Sequence, residues 1–348
     1  MNTAYAARQV LPEAVEAHVI ELWKQTRSKP VELERTFRWY YRDDADRGNR
    51  CFVLLHGGDA ELVGATGVGV RRFQAFGKSV DAALLGDFFV HKAHRSLFPA
   101  LSLQRAAADA ARANAAFVYG FPNQKALPVF RRLGFAELGR VRRFVRVLDY
   151  TPYLARHLKR PWLTRVVARP LNALLPLRRP PSWLPSKTRR YAWLTRFDER
   201  MDALERESRM GVAVRGQHTA AFLNWRFCAK PGFEGRTLAL FDARTDALSA
   251  YAVVEEAPEA AYVRDLYGRT WNDVGHLLCR LERELQRARA ASISMNLVGA
   301  PELVTRLARL GYAERPSTRT VILSAAAASR PELSDAAHWY LTDADEDQ

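Results

Sequence analysis

The 348-residue sequence predicts an α/β fold built on a mixed sheet and laid down twice along the chain. Three observations carry that expectation. Residues 11–148 run through helix, strands, helix, strand, helix, strand, and residues 237–323 repeat the later part of that order with weaker signal. Both halves also close a helix with the same punctuation. Leu133-Gly134-Phe135 and Leu310-Gly311-Tyr312 each give an apolar helix end, a glycine stop and an aromatic opening the next strand.

The elements follow in order. Pro12, then Val15, Val19, Leu22 and Trp23 at three-to-four spacing, predict a helix over 11–29. Two strand runs, Cys51–His56 and Leu62–Val70, flank the turn-forming Gly57-Gly58-Asp59. A third, Ala82–Val90, runs into a polar break at His91–Arg95. Helical pattern resumes from Pro99 to Asn114, followed by a short strand Phe117–Phe121, a helix Asn123–Leu133 and a closing strand Val141–Leu148. In the second half Thr237–Phe241 and Ser249–Glu255 read as a hairpin, with Ala261–Leu266 a third strand. Trp271–Ala290 is a strongly amphipathic helix, Ser292–Val298 a strand, Pro301–Leu310 a helix and Thr320–Leu323 a strand.

These patterns divide the chain into a first domain over 1–149, a linker over 150–215, a second domain over 216–330 and an acidic tail over 331–348. In the linker Pro161, Pro170, Pro176, Pro180, Pro181 and Pro185 keep any helix short. The tail carries Asp343, Asp345, Glu346 and Asp347 and is expected to be disordered.

Composition narrows the class. With 48% hydrophobic and 26% charged residues the chain is globular. Cys51, Cys228 and Cys279 stand far apart, in no metal-type spacing and in odd number, so a reducing cytoplasm is expected and a disulfide framework is not. The first thirty residues hold no basic-then-apolar leader, and no apolar run reaches about 18 residues, so neither export nor a membrane span is expected. The net charge of +15 is concentrated, because eleven Lys/Arg and no Asp/Glu lie between Tyr150 and Phe197. Within Leu154–Trp193 these cations alternate with Trp162, Leu163, Val166, Val167, Leu171, Leu174, Leu175, Trp183 and Leu184. That mixture suits an interfacial contact with an anionic membrane. Nucleic acid would use the charge with fewer Leu and Val, and is not expected as a partner. A solvated loop over the domain junction is the bland alternative.

The stretch from Phe89 through Val90, His91, Lys92, Ala93, His94, Arg95, Ser96, Leu97, Phe98 and Pro99 to Ala100 resembles motif A of the GNAT acyltransferase superfamily. In that motif a strand ends in Val, a polar loop follows, and Arg-x-x-Gly-x-Gly/Ala opens a helix. Arg95 and Ala100 match its first and last positions, Phe98 stands at the middle glycine, and Pro99 has no N–H to donate. A second stretch, Gly120-Phe121-Pro122-Asn123 through Phe130 to Leu133-Gly134-Phe135, is similar to the family's later Asn-initiated helix. Asn123 is also a good helix N-cap on its own account. The likeness covers roughly residues 10–148.

The resemblance implies an acyl-CoA co-substrate whose pyrophosphate rests on the turn around Val90, His94, Arg95, Ser96 and Ala100, with Asn123 near the cofactor. It also implies a general base on the strand leading into that turn. Asp87 is the carboxylate there, set among Leu84, Leu85, Phe88 and Phe89, with His91 and His94 as alternatives and a strand bulge expected near Gly86. The family often places a thiolate-protonating Tyr where Phe130 stands, which leaves Tyr119 as a stand-in. The second half's turn, Tyr267-Gly268-Arg269-Thr270-Trp271-Asn272, lacks the motif and reads as a degenerate copy. Phe222-Leu223-Asn224-Trp225-Arg226-Phe227 resembles a string found between the halves of bacterial GNAT-like envelope proteins, and is expected to pack Trp225 between the halves with Arg226 paired to a carboxylate.

Together these imply a tandem GNAT-like N-acyltransferase, cytoplasmic and peripheral on the inner membrane, with a small amine or amino-lipid as acceptor. A lipid amine, as in bacterial ceramide synthase-like enzymes, or an envelope-sugar precursor would suit the basic linker. Two alternatives stay open: transfer from aminoacyl-tRNA, as in Fem-type proteins, and an inactive CoA-binding scaffold. No metal is expected.

Overall fold

The computed structural model describes residues 5–25, 30–43, 48–57, 61–155, 158, 160–174, 188–258, 260–325 and 330–346. Its first half holds β1 (Tyr5–Val10), α1 (Pro12–Lys24), α2 (Pro30–Tyr41), β2 (Arg50–His56), β3 (Glu61–Ala75) and β4 (Lys78–Val90). There follow α3 (Leu97–Arg112), β5 (Phe117–Gly120), α4 (Leu127–Arg132), β6 (Ala136–Arg140) and β7 (Arg142–Val147). Between the halves lie α5 (Thr151–Ala155) and α6 (Pro161–Leu174). The second half comprises β8 (Arg189–Leu194), α7 (Glu199–Glu207), β9 (Val214–Gly216), α8 (Ala220–Leu223), β10 (Arg236–Asp242), β11 (Leu248–Ala257) and β12 (Ala260–Gly268). It ends with α9 (Trp271–Arg287), β13 (Ser292–Gly299), α10 (Pro301–Arg309), β14 (Ala313–Arg315), β15 (Thr320–Ala325) and β16 (Trp339–Leu341).

The two halves exchange their closing strands. The first sheet runs β1-β2-β3-β4-β5-β15-β6, so a second-half strand sits between β5 and β6. The second sheet runs β8-β10-β11-β12-β13-β7-β14, with the first half's β7 between β13 and β14. The expected boundary at 149 therefore falls after a strand that belongs to the other sheet. Arg146 on β7 fixes the exchange through a buried ion pair to Glu282 on α9 at 3.2 Å. Removing one partner of such a pair leaves an uncompensated buried charge and costs about 3–5 kcal/mol.

Helices cover both faces of the first sheet. α3 lies over Phe52, Leu54, Ala83, Leu85 and Val118. On the other face α1 and α2 cover Cys51, Val53, Ala65 and Phe89, because Val15, Val19, Leu22 and Trp23 form one helical stripe.

Two expectations need correction. The second half begins near residue 189 rather than 216. β8 pairs with β10, and its Tyr191 and Trp193, at the end of the expected linker, pack on the second core, with Arg236 over the Trp193 ring at 4.1 Å. The acidic tail is not disordered through residue 346. Trp339, Tyr340 and Leu341 are buried, and β16 pairs with both β13 and β9 and so joins the two sheets. Three large apolar side chains and a buried Arg71–Asp345 pair outweigh the local acidity. Asp347, Leu175, Trp183, Leu184 and the prolines at 176, 180, 181 and 185 lie outside the described residues, as do Gly58 and Asp59.

Candidate active site

β4 and β5 run parallel from Ala82↔Phe117 to Leu85↔Gly120, and the pairing ends there. Just beyond, the β3–β4 register slips between Ala65 and Gly67, and Asp87 adopts φ 52°. This is the bulge expected near Gly86. An extra residue bends its strand, so β4 swings away from β5 and a wedge opens between them. The bulge is pinned from α3, where buried Gln104 donates to Thr66 Oγ1 (2.8 Å) and Thr66 donates to the Gly86 carbonyl (3.0 Å).

Asp87 stands at the head of that wedge, half-buried, and its Oδ2 accepts a hydrogen bond from the Tyr41 hydroxyl at 2.7 Å. Tyr41 reaches it because β3 carries glycine below: a Cβ on Gly67 would lie 1.8 Å from the Tyr41 oxygen. Gly69 makes the same allowance for Tyr40, at 2.0 Å. Burial, and then the Asp87 charge, push the Tyr41 phenol well above its ordinary range. Burial and Asp87 push the Cys51 thiol up to about 12. Both therefore stay protonated at neutral pH, and Tyr41 keeps the proton it donates to Asp87. Sequence reasoning missed Tyr41, although the Thr66-Gly67-Val68-Gly69 alternation was its available signal.

The turn after β4 begins with the His91 N–H donating to the Val63 carbonyl at 2.7 Å. A short 3₁₀ turn, Lys92–His94, follows, and the Ala93 N–H donates to His91 Nδ1 at 3.4 Å. Arg95 folds back so that Nε donates to the Val90 carbonyl (2.8 Å) and its guanidinium lies over Phe89 at 5.1 Å. Ser96 is the N-cap of the 16-residue α3 with no side-chain cap bond of its own. Pro99 removes one first-turn N–H, while Phe98, 47% exposed, projects outward. The turn thus gathers exposed Lys92, Arg95 and Ser96 at the positive end of a long helix, an arrangement able to hold a phosphate. Ala100 lies in the first turn of α3, and His94 Nδ1 is 3.0 Å from the Tyr5 hydroxyl.

The remaining expected residues lie elsewhere. Asn123 caps its own turn, its Oδ1 accepting from the Lys125 and Ala126 amides at 3.0 Å each. Tyr119 is fully buried and donates its hydroxyl to the Asp345 carbonyl at 2.9 Å. As a stand-in acid it is corrected: the C-terminal segment covers it and holds its proton. Phe130 is buried against Phe135 and Phe88 and supplies no acid either. Trp225 stacks on Trp39 at 4.6 Å between the halves, and Arg226 donates to the carbonyls of Asp343 (2.9 Å) and Ala344 (3.2 Å). A hollow of about 650 Å³ lined by Trp39, Asp43, Arg196, Trp225 and Cys228 adjoins α2, whose Tyr41 touches Asp87. A hollow of about 670 Å³ near Glu205 and Arg215 is lined by no residue of β4 or the 91–96 turn.

The second half has a matching wedge, and the chain fills it. β12 and β13 pair only from Ala261↔Ile293 to Val263↔Met295, with a register slip between Val253 and Val254 on the neighbouring strand. β16 then pairs with Val298 and Gly299 of β13. Tyr340 donates to the Leu266 carbonyl of β12, Thr342 to Asp265 Oδ1 (2.8 Å), and Asp343 accepts from Asn296 (3.1 Å) and Arg264 (2.9 Å). Residues 339–345 thus lie across the gap between β12 and β13.

Residues 16–135 match the model of the acetyltransferase (GNAT) family. No curated protein matches the chain in sequence. Solved structures share the fold over nearly its whole length. A conserved protein of Enterococcus faecalis V583 described as a probable N-acyltransferase aligns at TM-score 0.65 and 10% identity, covering 92% of this chain and 71% of that one. A GCN5-related N-acetyltransferase from Kribbella flavida aligns at 0.60 and 13% identity, with 93% and 72% covered. A tandem GNAT protein from the clavulanic acid biosynthesis pathway aligns at 0.53 and 15% identity, with 94% and 100% covered. The fold is therefore that of GNAT proteins, carried in tandem.

Proposed function

We propose that this tandem GNAT-fold chain is an acyl-CoA-dependent N-acyltransferase that works from its first half alone. The observation that carries the proposal is Asp87, held at positive φ on a bulge where β4 leaves β5, directly upstream of a polar turn and a long helix. The donor thioester would lie along the open edge of β4, its pyrophosphate at Lys92, Arg95, Ser96 and the first turn of α3. The amine would enter from the α2 side, past Trp39 and Trp225. As its nitrogen attacks the thioester carbonyl, Asp87 accepts the proton, the C–N bond forms and the C–S bond breaks to release CoA thiolate, which takes up a proton from solvent while Asp87 returns its own. The filled wedge in the second half supports one donor site per chain, and leaves that half to brace the first through exchanged strands.

A membrane-associated amine, of lipid or envelope-sugar type, is the acceptor class we infer. Support comes from α6, whose Thr164 and Ala168 face inward while Trp162 (58% exposed), Val166 (60%), Val167 and Leu171 stay exposed beside Arg165 and Arg169. Such a face suits an anionic bilayer surface. No helix among the described residues is long and apolar enough to cross a membrane.

The test is release of CoA thiol from short- and long-chain acyl-CoA, with sphingoid bases and amino sugars as acceptors and mass spectrometry of the product. Amine-dependent release with an acylated amine is the expected result. Binding of CoA without any release would favour the scaffold reading, and transfer from aminoacyl-tRNA alone would overturn the donor assignment.

A further inference from the structure

Beside the turn that precedes α3, three elements bring together His56 at the end of β2, Glu61 at the start of β3 and His94. Each offers one ligand atom, and those atoms lie within 4.8 Å of one another. Among the described residues this is the one such group. The two imidazoles face each other with ring centroids 4.8 Å apart, and Tyr5 packs on both, 4.8 Å from His56 and 5.8 Å from His94. The Tyr5 hydroxyl sits 3.0 Å from Nδ1 of His94. That contact engages one ring nitrogen and leaves the other as a ligand, the division of roles that outer-shell partners impose on metal-bound histidine.

We propose that His56, Glu61 and His94 form a binding site for a late first-row divalent cation such as zinc. Two imidazoles and a carboxylate are a zinc-type donor set that leaves a fourth position for water or another oxygen ligand. In a tetrahedral site with bonds of about 2.0–2.1 Å the ligand atoms stand roughly 3.3 Å apart. Closing the present cluster to that size needs each group to move by about 1 Å. Exposed Glu61 and the half-buried rings can supply this by side-chain rotation. β2 and β3 hold His56 opposite Glu61 in ladder register, so the hairpin provides two ligands on a rigid frame and the turn provides the third.

The position gives the cation a second effect. His94 immediately precedes Arg95, so a bound ion would tie the 91–96 turn to the β2–β3 hairpin and add positive charge next to exposed Lys92 and Arg95. Sequence spacing did not reveal the group, because 37 residues lie between His56 and His94.

The experiment uses the full chain, stripped with chelator, and zinc titrated in competition with a chromophoric indicator. One zinc per chain at micromolar affinity or tighter is expected. His94→Ala and His56→Ala should each abolish it, and Tyr5→Phe should weaken it by about tenfold. Cobalt substitution should give the intense visible bands of a four-coordinate ion, and these should vanish in His94→Ala. Circular dichroism of each variant separates ligand loss from unfolding, and a variant that fails to fold is replaced by His94→Gln. Absence of stoichiometric zinc binding, or affinity unchanged in both histidine variants, would overturn the proposal. Neither readout depends on acyl transfer.

Discussion

His218 is buried among ionised groups of the second half. Its Nε2 lies 3.4 Å from Asp265 Oδ1 on β12, and its Nδ1 3.7 Å from Glu205 Oε2 on α7. Its ring stacks on Tyr267 at 4.1 Å, Tyr251 donates to Asp265 at 2.7 Å, and Arg215 of β9 pairs with Glu205. Burial alone would push the imidazole down, but the Asp265 and Glu205 carboxylates outweigh it and raise His218 from 6.5 to about 9. A group whose folded pKa is raised stabilises the fold fully below its unfolded pKa. That contribution therefore stands complete below pH 6.5 and is lost as pH climbs through 9. The difference corresponds to about 3 kcal/mol, or roughly 5 °C in Tm for a chain of this size. Calorimetry at pH 7 and pH 9.5 on the native chain and on His218→Gln measures it. The variant should be destabilised by about that amount at pH 7, and its loss on going to pH 9.5 should be correspondingly smaller. Parallel losses in the two proteins would refute the charged-histidine account, since other groups that ionise there act on both alike.

Asp87→Asn should lower turnover by roughly 10²–10⁴, the usual share of a positioned general base, while donor affinity stays unchanged. Asn tolerates positive φ and can still accept the Tyr41 bond, so the bulge survives and only basicity goes. Near-native turnover would move the base elsewhere. Trp162→Ser with Val166→Ser should abolish the salt-resistant part of binding to phosphatidylglycerol vesicles, because both side chains are more than half exposed on α6. Arg165→Gln with Arg169→Gln should remove mainly the salt-sensitive part, about 1 kcal/mol per cation. Co-sedimentation across a salt series separates these terms, and equal binding by all variants would place the contact off α6.

Local periodicity made most elements legible. Strands such as Ala82–Val90 and helices such as Trp271–Ala290 carry their pattern in consecutive residues, and the structure places both within a few residues of the expected limits. The strand exchange was not legible. Arg142–Val147 has the same apolar alternation whether it closes its own sheet or the neighbouring one, and pairing partners are not a local property. β16 was missed because three residues in an acidic stretch give no periodicity, and burial comes from β9 and β13 far away in sequence. At the site, the bulge and Asp87 could be read from Gly86-Asp87 before a polar turn. The Tyr41 contact was only half legible, since the alternating glycines of Thr66-Gly67-Val68-Gly69 mark a close approach without saying which helix side chain makes it.

The central claim is that one donor site exists per chain, in the first-half wedge. Calorimetric titration with a non-hydrolysable acyl-CoA tests it on the native chain, Arg95→Glu and Arg264→Glu. Arg95 lies at the open turn, whereas Arg264 already pairs with Asp343 and Glu255 in the filled wedge. The account predicts one site, affinity lost in Arg95→Glu through charge repulsion at the pyrophosphate turn, and affinity kept in a folded Arg264→Glu. Two sites per chain, or unchanged affinity in Arg95→Glu, would contradict it.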